Sequence, residues 1–211
     1  MILKAASVLA GFLSPATRLK SAERIYSYLA AREDLQAYLD LAPDLPDEAL
    51  KNARLYSSRH KMLHALPKGG TVCEVGTWRG EFARAIALTC EPVEFHLIDI
   101  DFSPLGEIPI PVQKHEGDSA ELLGSFPPEY FDWIYIDADH PYASVRRDLR
   151  AAHRAVKPGG YLMCNDYAVQ CLGTPYGVAR AVNELVIEKG YTVEGLALDR
   201  GCMFDMLIRR Q

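Results

Sequence analysis

The sequence lacks the features that mark secreted, disulfide-rich or zinc-stapled proteins. It has five cysteines, an odd number, and no pair of them has the Cys-x-x-Cys spacing of a zinc ribbon. Both a disulfide framework and a structural zinc site are therefore disfavoured. Cys73 and Cys164 lie in apolar runs, where a thiol behaves as a small hydrophobic group. These observations predict a protein of a reducing compartment, and we expect it to be cytoplasmic.

Long apolar runs are also lacking. The mostly apolar residues 1–13 are shorter than the ~20 residues that a transmembrane helix needs. Ser14 and Ala16 could follow a secretory segment as a cleavage site, but a single Lys4 is a weak positive region and the free thiols do not suit export. We favour a helix that packs on the domain or on a second subunit. A homodimer, or contact with a membrane surface, would cover this apolar stretch.

Basic residues are in deficit, because 23 lysines and arginines face 28 acidic residues and the net charge is −5. This balance offers no electrostatic surface for the backbone of DNA or RNA, so nucleic acid is not expected as a partner. The composition, 49% hydrophobic and 24% charged, is typical of a globular protein. The length of 211 residues fits one domain with an appendage.

The chain divides into a helical part and an α/β part. Residues 14–66 have a helical pattern, which Pro43 and Pro46 interrupt and which resumes from Asp47 to Leu66. The turn residues 67–70 end it. We therefore predict an N-terminal helical extension over residues 1–66 and a second domain over residues 67–211.

After Gly70, short apolar runs alternate with helical patterns, which is typical of βαβ units and a parallel sheet. The predicted strands are 71–75, 94–98, 112–115, 131–136, 161–164, 192–198 and 203–208. The predicted helices are 79–89, 119–123, 142–156 and 178–189. In such an α/β fold, ligands bind beyond the carboxyl ends of the strands. The residues that follow each strand are therefore the candidate site residues.

The first strand leads into a glycine-containing turn over residues 74–80. Gly76 and Gly80 allow the backbone to turn sharply and to approach a ligand closely. Trp78 stands where the dinucleotide fingerprint needs its second glycine, which speaks against NAD and FAD. The second strand leads into Asp99 and Asp101. A carboxylate about 20 residues beyond such a turn can accept hydrogen bonds from a ribose diol, and Asp99 is preferred because it directly follows the apolar run.

Polar residues follow the third, fourth and fifth strands. Asp118 can cap the next helix, and together with Ser119 it could also contact a base edge. The two aspartates Asp137 and Asp139 follow a strand that reads as buried on both faces. A buried carboxylate is costly without a cation or a proton-transfer role.

The fifth strand leads into Asn165 and Asp166, which would lie beside Asp137 in adjacent sheet positions. Three oxygen ligands of this kind suit Mg²⁺. His140 could coordinate a metal, act as a base, or simply be a packed histidine.

Taken together, these motifs resemble the class I S-adenosylmethionine-dependent methyltransferases. Within that class they are similar to small metal-dependent O-methyltransferases of the catechol and caffeoyl-CoA type and to macrocin-type sugar O-methyltransferases. The resemblance covers about residues 68–211. It rests on the order and spacing of residues 74–80, 117–119, 135–140, 157–160 and 177–182.

The resemblance implies a Rossmann-like sheet of seven strands in the order 3-2-1-4-5-7-6, with the seventh antiparallel and helices on both faces. It also implies S-adenosylmethionine as the cofactor and Mg²⁺ as a metal. By the same resemblance, the cofactor-binding residues are Glu74, Gly76, Thr77, Gly80, Asp99, Asp118, Ser119 and Asp137. The metal ligands are Asp137, Asn165 and Asp166, and Asp139 matches a proposed base.

The chain departs from those relatives in two ways. The plant-type enzymes have aspartate then asparagine at the fifth-strand pair and the sugar-modifying ones have two aspartates, whereas here Asn165 precedes Asp166. The catalytic lysine that some relatives have after the fourth-strand aspartates is missing, and His140 occupies that neighbourhood.

The sequence therefore predicts methyl transfer from S-adenosylmethionine to a hydroxyl of a small molecule, such as a sugar or a phenol. Bound Mg²⁺ would lower the pKa of that hydroxyl, and Asp139 or His140 would take its proton. One alternative is a metal-independent methyltransferase with His140 as the base. The other is a catalytically silent cofactor-binding protein that acts through its helical N-terminus.

Overall fold

An eight-stranded sheet organises the computed structural model, which describes residues 42–168, 176–198 and 204–211. All its strands are parallel except the last, which runs antiparallel to both of its neighbours. The order across the sheet is β1-β7-β8-β6-β5-β2-β3-β4. The strands are β1 (Arg54–Tyr56), β2 (Thr71–Val75), β3 (Glu94–Asp99), β4 (Gln113–Glu116), β5 (Phe131–Ile136), β6 (Val156–Cys164), β7 (Thr192–Leu198) and β8 (Phe204–Arg209).

The strand count differs from the predicted seven because β1 adds an eighth strand at the edge. Strands β2 to β8, numbered one to seven, lie in the order 3-2-1-4-5-7-6 that the resemblance implied, and the last of them is antiparallel. The additional strand pairs in parallel with β7, with Leu55 opposite Leu196. Its partner lies more than 130 residues away in the sequence, so local periodicity could not reveal it.

The continuous helical pattern predicted from Asp47 to Leu66 is wrong, since β1 interrupts it. Only two short helices and a 3₁₀ turn at Leu63–Ala65 form in this segment. The helical pattern predicted before residue 42, and the dimer contact expected there, lie outside the described residues. The described helices are α1 (Asp47–Leu50), α2 (Arg59–Met62), α3 (Glu81–Cys90), α4 (Ser119–Ser125), α5 (Tyr142–Ala155) and α6 (Val178–Lys189).

Strand β5 separates two apolar layers, as a strand buried on both faces should. Trp133 and Tyr135 pack on one face with residues of α3 such as Ile86. Ile134 and Ile136 pack on the other face with residues of α5 and α6. Each such buried side chain contributes roughly 1.5–3 kcal/mol relative to an exposed one, so the helix layers hold the sheet firmly from both sides.

Strand β6 begins earlier than predicted. It continues directly from α5 at Val156, so the turn residues Lys157 to Gly160, expected as a helix stop, lie within the strand. Lys157 Nζ contacts Asp132 Oδ1 of β5 at 2.8 Å, and Arg210 donates its backbone N–H to the Gly160 carbonyl. Pairing with neighbouring strands has overridden the local turn preference of this Pro-Gly-Gly run.

Cys73 and Cys164 are buried, as predicted for thiols in apolar runs. Cys73, Cys90 and Cys164 are buried free thiols. Within the described residues, no helix combines the length and apolar character needed to cross a membrane.

Candidate functional site

The candidate site lies at the carboxyl edge of the sheet, where the backbone ladder continues one residue beyond the strands. The N–H groups of Gly76, Asp137 and Asn165 each donate to a carbonyl at the end of a neighbouring strand, at 2.8, 2.8 and 2.9 Å. These bonds fix the strand-end residues of β2, β5 and β6 side by side. The structure thus brings together the glycine turn and the polar residues that were predicted to share one site.

The glycine turn needs its two predicted glycines for different reasons. Gly76 has φ +83°, and a Cβ there would lie 1.9 Å from the carbonyl oxygen of Asp137. Gly80 has φ +74°, and a Cβ there would meet the methyl groups of Leu105 and Ile108 at 2.7 and 2.8 Å. Gly80 also precedes the first turn of α3, whose free N–H groups favour a negatively charged ligand.

Asp99, the predicted ribose-binding residue, also supports this turn. Its Oδ2 accepts hydrogen bonds from the backbone N–H groups of Thr77 at 2.8 Å and Trp78 at 2.7 Å. Its Oδ1 accepts from the N–H of Asp101 at 3.2 Å. Trp78 has φ +46°, a conformation that costs a non-glycine residue roughly 1–2 kcal/mol, and its side chain is 60% exposed. The Asp99 carboxylate therefore offsets backbone strain in the turn.

Glu74 is a buried carboxyl group at the base of the turn. It is 1% exposed, and Oε2 has no hydrogen-bond partner among the described residues. Burial raises the pKa of Glu74 well above its usual value, with Asp137 and Asp99 acting in the same direction and Thr77 and Arg59 opposing them. Thr77 lies beside it and is also buried. A buried carboxyl group with a free oxygen is a candidate contact for a polar ligand in the turn.

Asp118 and Ser119, predicted to lie near an adenine, make structural contacts. The Asp118 side chain accepts from the N–H of Glu121 at 3.0 Å and so caps α4. It also pairs with Arg147 at 3.0 Å. The Ser119 hydroxyl donates to Asp148 Oδ1 at 2.6 Å. These contacts account for both residues without a ligand.

A buried polar network surrounds Asp137. Arg59 Nη1 donates to the hydroxyl of Tyr135 at 3.0 Å and lies 3.8 Å from Asp137 Oδ2. The Tyr135 hydroxyl lies within donating distance of Asp137 Oδ2 at 3.3 Å and Asp205 Oδ2 at 3.4 Å. Asn165 Nδ2 donates to Asp205 Oδ1 at 3.1 Å. Burial raises the pKa of Asp137 to about 7, with Asp205 and Asp166 adding to this and Arg59 opposing it.

His140 lies between two of these carboxylates. Its Nε2 is 3.4 Å from Asp166 Oδ2 and 3.9 Å from Asp137 Oδ1. Its ring contacts that of Tyr176, with centroids 4.7 Å apart. Asp139 is exposed, and its Oδ1 accepts from the backbone N–H of His140 at 3.1 Å. The two predicted catalytic residues are therefore neighbours, but only His140 points among the buried acids.

The predicted magnesium ligands share the edge without forming a metal cage. Asp137, Asn165 and Asp166 are adjacent, yet the described residues contain no group of three His, Cys, Asp or Glu side chains that could hold a metal ion. The Asn165 amide donates to Asp205, and Arg59 already places a cation beside Asp137. A cation already beside Asp137 disfavours the predicted Mg²⁺ at this carboxylate.

Three members of the network were missed from the sequence. Arg59 lies before the domain predicted over residues 67–211. It follows β1, a strand that the local sequence pattern did not predict. Asp205 stands in an apolar strand, where a fully buried aspartate is a signal for a polar partner. Tyr135 lies on the face of β5 that packs against α3. The alternation of residues along the strand predicts this face, but it does not predict which groups the Tyr135 hydroxyl contacts.

Replacing Gly76 tests the close approach of β2 and β5. Gly76→Ala should lower the free energy of unfolding by more than ~2 kcal/mol, because the added Cβ meets backbone and the φ is left-handed. Urea unfolding measures this. Gly124→Ala is the matched control, since a Cβ at Gly124 of α4 meets nothing within 4 Å, and it should leave stability equal or up to ~1 kcal/mol higher. Equal effects of the two changes would contradict this account of the turn.

Replacing Glu74 tests its burial through the pH dependence of stability. Above the usual pKa of a glutamate, folded Glu74 keeps a proton that the unfolded chain has released, so the free energy of unfolding falls as pH rises. Glu74→Gln cannot titrate and should lose less stability than the wild type between pH 4 and pH 8. Urea unfolding across this range measures the difference. The exposed Glu121→Gln should follow the wild type, and a Glu74→Gln profile parallel to wild type would refute the burial effect.

Comparison with known proteins agrees with the fold. Residues 73–167 match the family described as a methyltransferase domain, a segment that runs from β2 to just beyond β6. No curated protein sequence matches the chain.

Solved structures share the fold at low sequence identity. A SAM-dependent methyltransferase from Methanosarcina mazei is 12% identical, with a TM-score of 0.53 over 72% of this chain and 98% of that one. Spermidine synthase from Thermotoga maritima is 18% identical, with a TM-score of 0.55 over 73% and 57%. A tRNA methyltransferase from B. subtilis is 15% identical, with a TM-score of 0.52 over 73% and 65%. These structures show that the chain shares their fold, and the family match covers the central part of the sheet.

Proposed function

We propose that this protein transfers the methyl group of S-adenosylmethionine to a hydroxyl group of a small molecule, such as a sugar or a phenol. The observation that carries the proposal is the juxtaposition, at one sheet edge, of the Asp99-supported glycine turn and the polar group around His140. A cofactor in the turn would present its methyl group toward these side chains. Holding the two reacting atoms in line lowers the barrier by roughly 7–11 kcal/mol in favourable cases.

The residues of the turn fit the proposed cofactor. Gly76 and Gly80 hold the turn in a shape that any Cβ would disrupt, because it would meet protein atoms, and Glu74 Oε2 is a buried oxygen at the base of the turn. A carboxylate has about four acceptor positions, of which Asp99 uses three for backbone N–H groups. The remaining position is available to a ribose hydroxyl. Asp118 and Ser119 already have structural partners, so the proposal does not depend on them.

His140 is the proposed base. When bound, S-adenosylmethionine supplies a methyl group already activated on a sulfonium. Transfer to oxygen releases the hydroxyl proton, which the imidazole of His140 would take. The carboxylates of Asp166 and Asp137 would stabilise the resulting imidazolium, because they lie 3.4 and 3.9 Å from its buried Nε2. Asp139 is exposed and accepts a hydrogen bond from the backbone N–H of His140. We therefore prefer His140 to Asp139 as the base.

We favour the metal-independent form of the reaction over the magnesium-assisted form that the resemblance implies. The specific observation is the cation of Arg59 beside Asp137, together with a donor set that does not form a metal cage within the described residues. Turnover that persists in excess chelator would agree with this choice, and turnover abolished by chelator and restored by Mg²⁺ would reverse it.

Titration of S-adenosylhomocysteine into the purified protein by calorimetry tests the cofactor. Asp99→Ala should weaken binding at least ~10-fold, because it removes a charged acceptor from the ribose and loosens the turn. Asp101→Ala is the matched control two residues away, and it should bind as the wild type does. If the wild type does not bind, the cofactor assignment fails; if both variants bind equally, Asp99 is not the ribose-binding residue.

Transfer of labelled methyl groups to a panel of phenols and sugars tests the reaction. His140→Ala should lower turnover roughly 10²- to 10⁴-fold, which is the usual contribution of a general base, with little change in S-adenosylhomocysteine affinity. The exposed His64→Ala serves as the control and should retain full turnover. Unchanged turnover in His140→Ala would exclude it as the base. Binding without product from any acceptor would favour the cofactor-binding interaction protein instead.

A further inference from the structure

Strand β1 and helix α2 deliver Arg59 to the carboxyl edge of the sheet. β1 runs parallel to β7, and Ser58 caps α2 by accepting from the N–H of Lys61. The Arg59 guanidinium is partly buried, with 26% of its side chain exposed, and it lies 4.8 Å from the centre of the Phe82 ring. Its position is thus fixed by an element outside the region that matches methyltransferase domains.

The guanidinium is part of a continuous chain of contacts. It donates to Tyr135 at 3.0 Å, and the Tyr135 hydroxyl lies between Asp137 and Asp205. Asp205 in turn accepts from the Asn165 amide. Two of the three predicted metal ligands, Asp137 and Asn165, are therefore tied to this chain of contacts.

The charges of the edge explain why a cation is needed there. Asp137, Asp166 and Asp205 meet at one place, and Asp205 is fully buried. Carboxylates removed from water require a nearby positive charge or hydrogen-bond donors. Arg59 supplies the charge, while Tyr135, Asn165 and His140 supply the polar contacts. The guanidinium lies 3.8 Å from Asp137 Oδ2, so it would repel a divalent ion bound to that carboxylate. The ion would also have to displace these hydrogen-bond donors.

We propose that Arg59 is the resident cation of this acidic site and that it keeps divalent metal ions out. Arg59 lies beside the acid group, so that a positive side chain takes the place of a metal. Metal exclusion does not depend on catalysis, and only the role of the site in methyl transfer rests on the proposed function.

Removal of the Arg59 charge should create affinity for a divalent ion. In the protein without cofactor, Mn²⁺ binding followed by electron paramagnetic resonance should be absent in the wild type at micromolar metal. Arg59→Met should bind Mn²⁺ at least about ten-fold more tightly than the wild type, because the acids lose their counter-charge. Arg59→Lys keeps the charge and should resemble the wild type. Lys61→Met, an exposed neighbour on α2, is the matched charge control and should gain no binding.

Thermal unfolding with and without Mn²⁺ gives a second readout. The metal should raise the Tm of Arg59→Met and leave those of the wild type and Lys61→Met unchanged. A folded Arg59→Met that gains no Mn²⁺ affinity would overturn the proposal. If Arg59→Met does not fold, the wild type decides alone: micromolar Mn²⁺ binding overturns the proposal, and its absence supports it. Calorimetric titration of S-adenosylhomocysteine, run separately on the wild type, tells whether the proposed function has failed instead.

Discussion

Acidic side chains concentrated at one end of a parallel sheet need a counter-charge, and the rest of this site depends on how that need is met. Strands β5 and β6 end in Asp137 and Asp166, and the antiparallel β8 brings Asp205 to the same edge from the opposite direction. Arg59 supplies a positive charge from the start of α2, just after β1, the strand that extends the sheet beyond its seven-stranded core. The edge strand therefore has an electrostatic role as well as a structural one, because it leads into the helix that places the cation beside the acids.

The glycine turn at the same edge is ordered by a second carboxylate. Asp99 Oδ2 accepts from two successive N–H groups of the turn, which holds Trp78 in a conformation that few non-glycine residues adopt. A turn held in this way loses less freedom on binding a ligand than a loose one would. The same side chain thus both shapes the cradle and offers an acceptor to the ligand, so its two roles would be lost together on substitution.

A shared fold does not determine which reaction a protein catalyses, because the reaction depends on individual side chains. The similar structures described above include a tRNA methyltransferase and spermidine synthase, at 15% and 18% identity, and one fold commonly supports different reactions. In this chain the groups beyond β5 and β6 place His140 between two carboxylates and Arg59 beside Asp137. The acceptor and the mode of proton removal therefore have to be argued from these contacts.

The sequence by itself determined the α/β class and placed Gly76, Asp99, Asp137, Asn165 and Asp166 at strand ends, because apolar runs and turn residues are local signals. The family resemblance added the order of seven strands, since it carries topology that periodicity does not. Only the tertiary structure decided the pairing of β1 with β7 and the arrival of Arg59, Tyr135 and Asp205 beside Asp137. Those contacts join residues as distant in sequence as Leu55 and Leu196, and their energies come from burial and charge in the folded state. The oxygen-rich sequence pattern that suggested magnesium could not include the guanidinium that the fold brings to it.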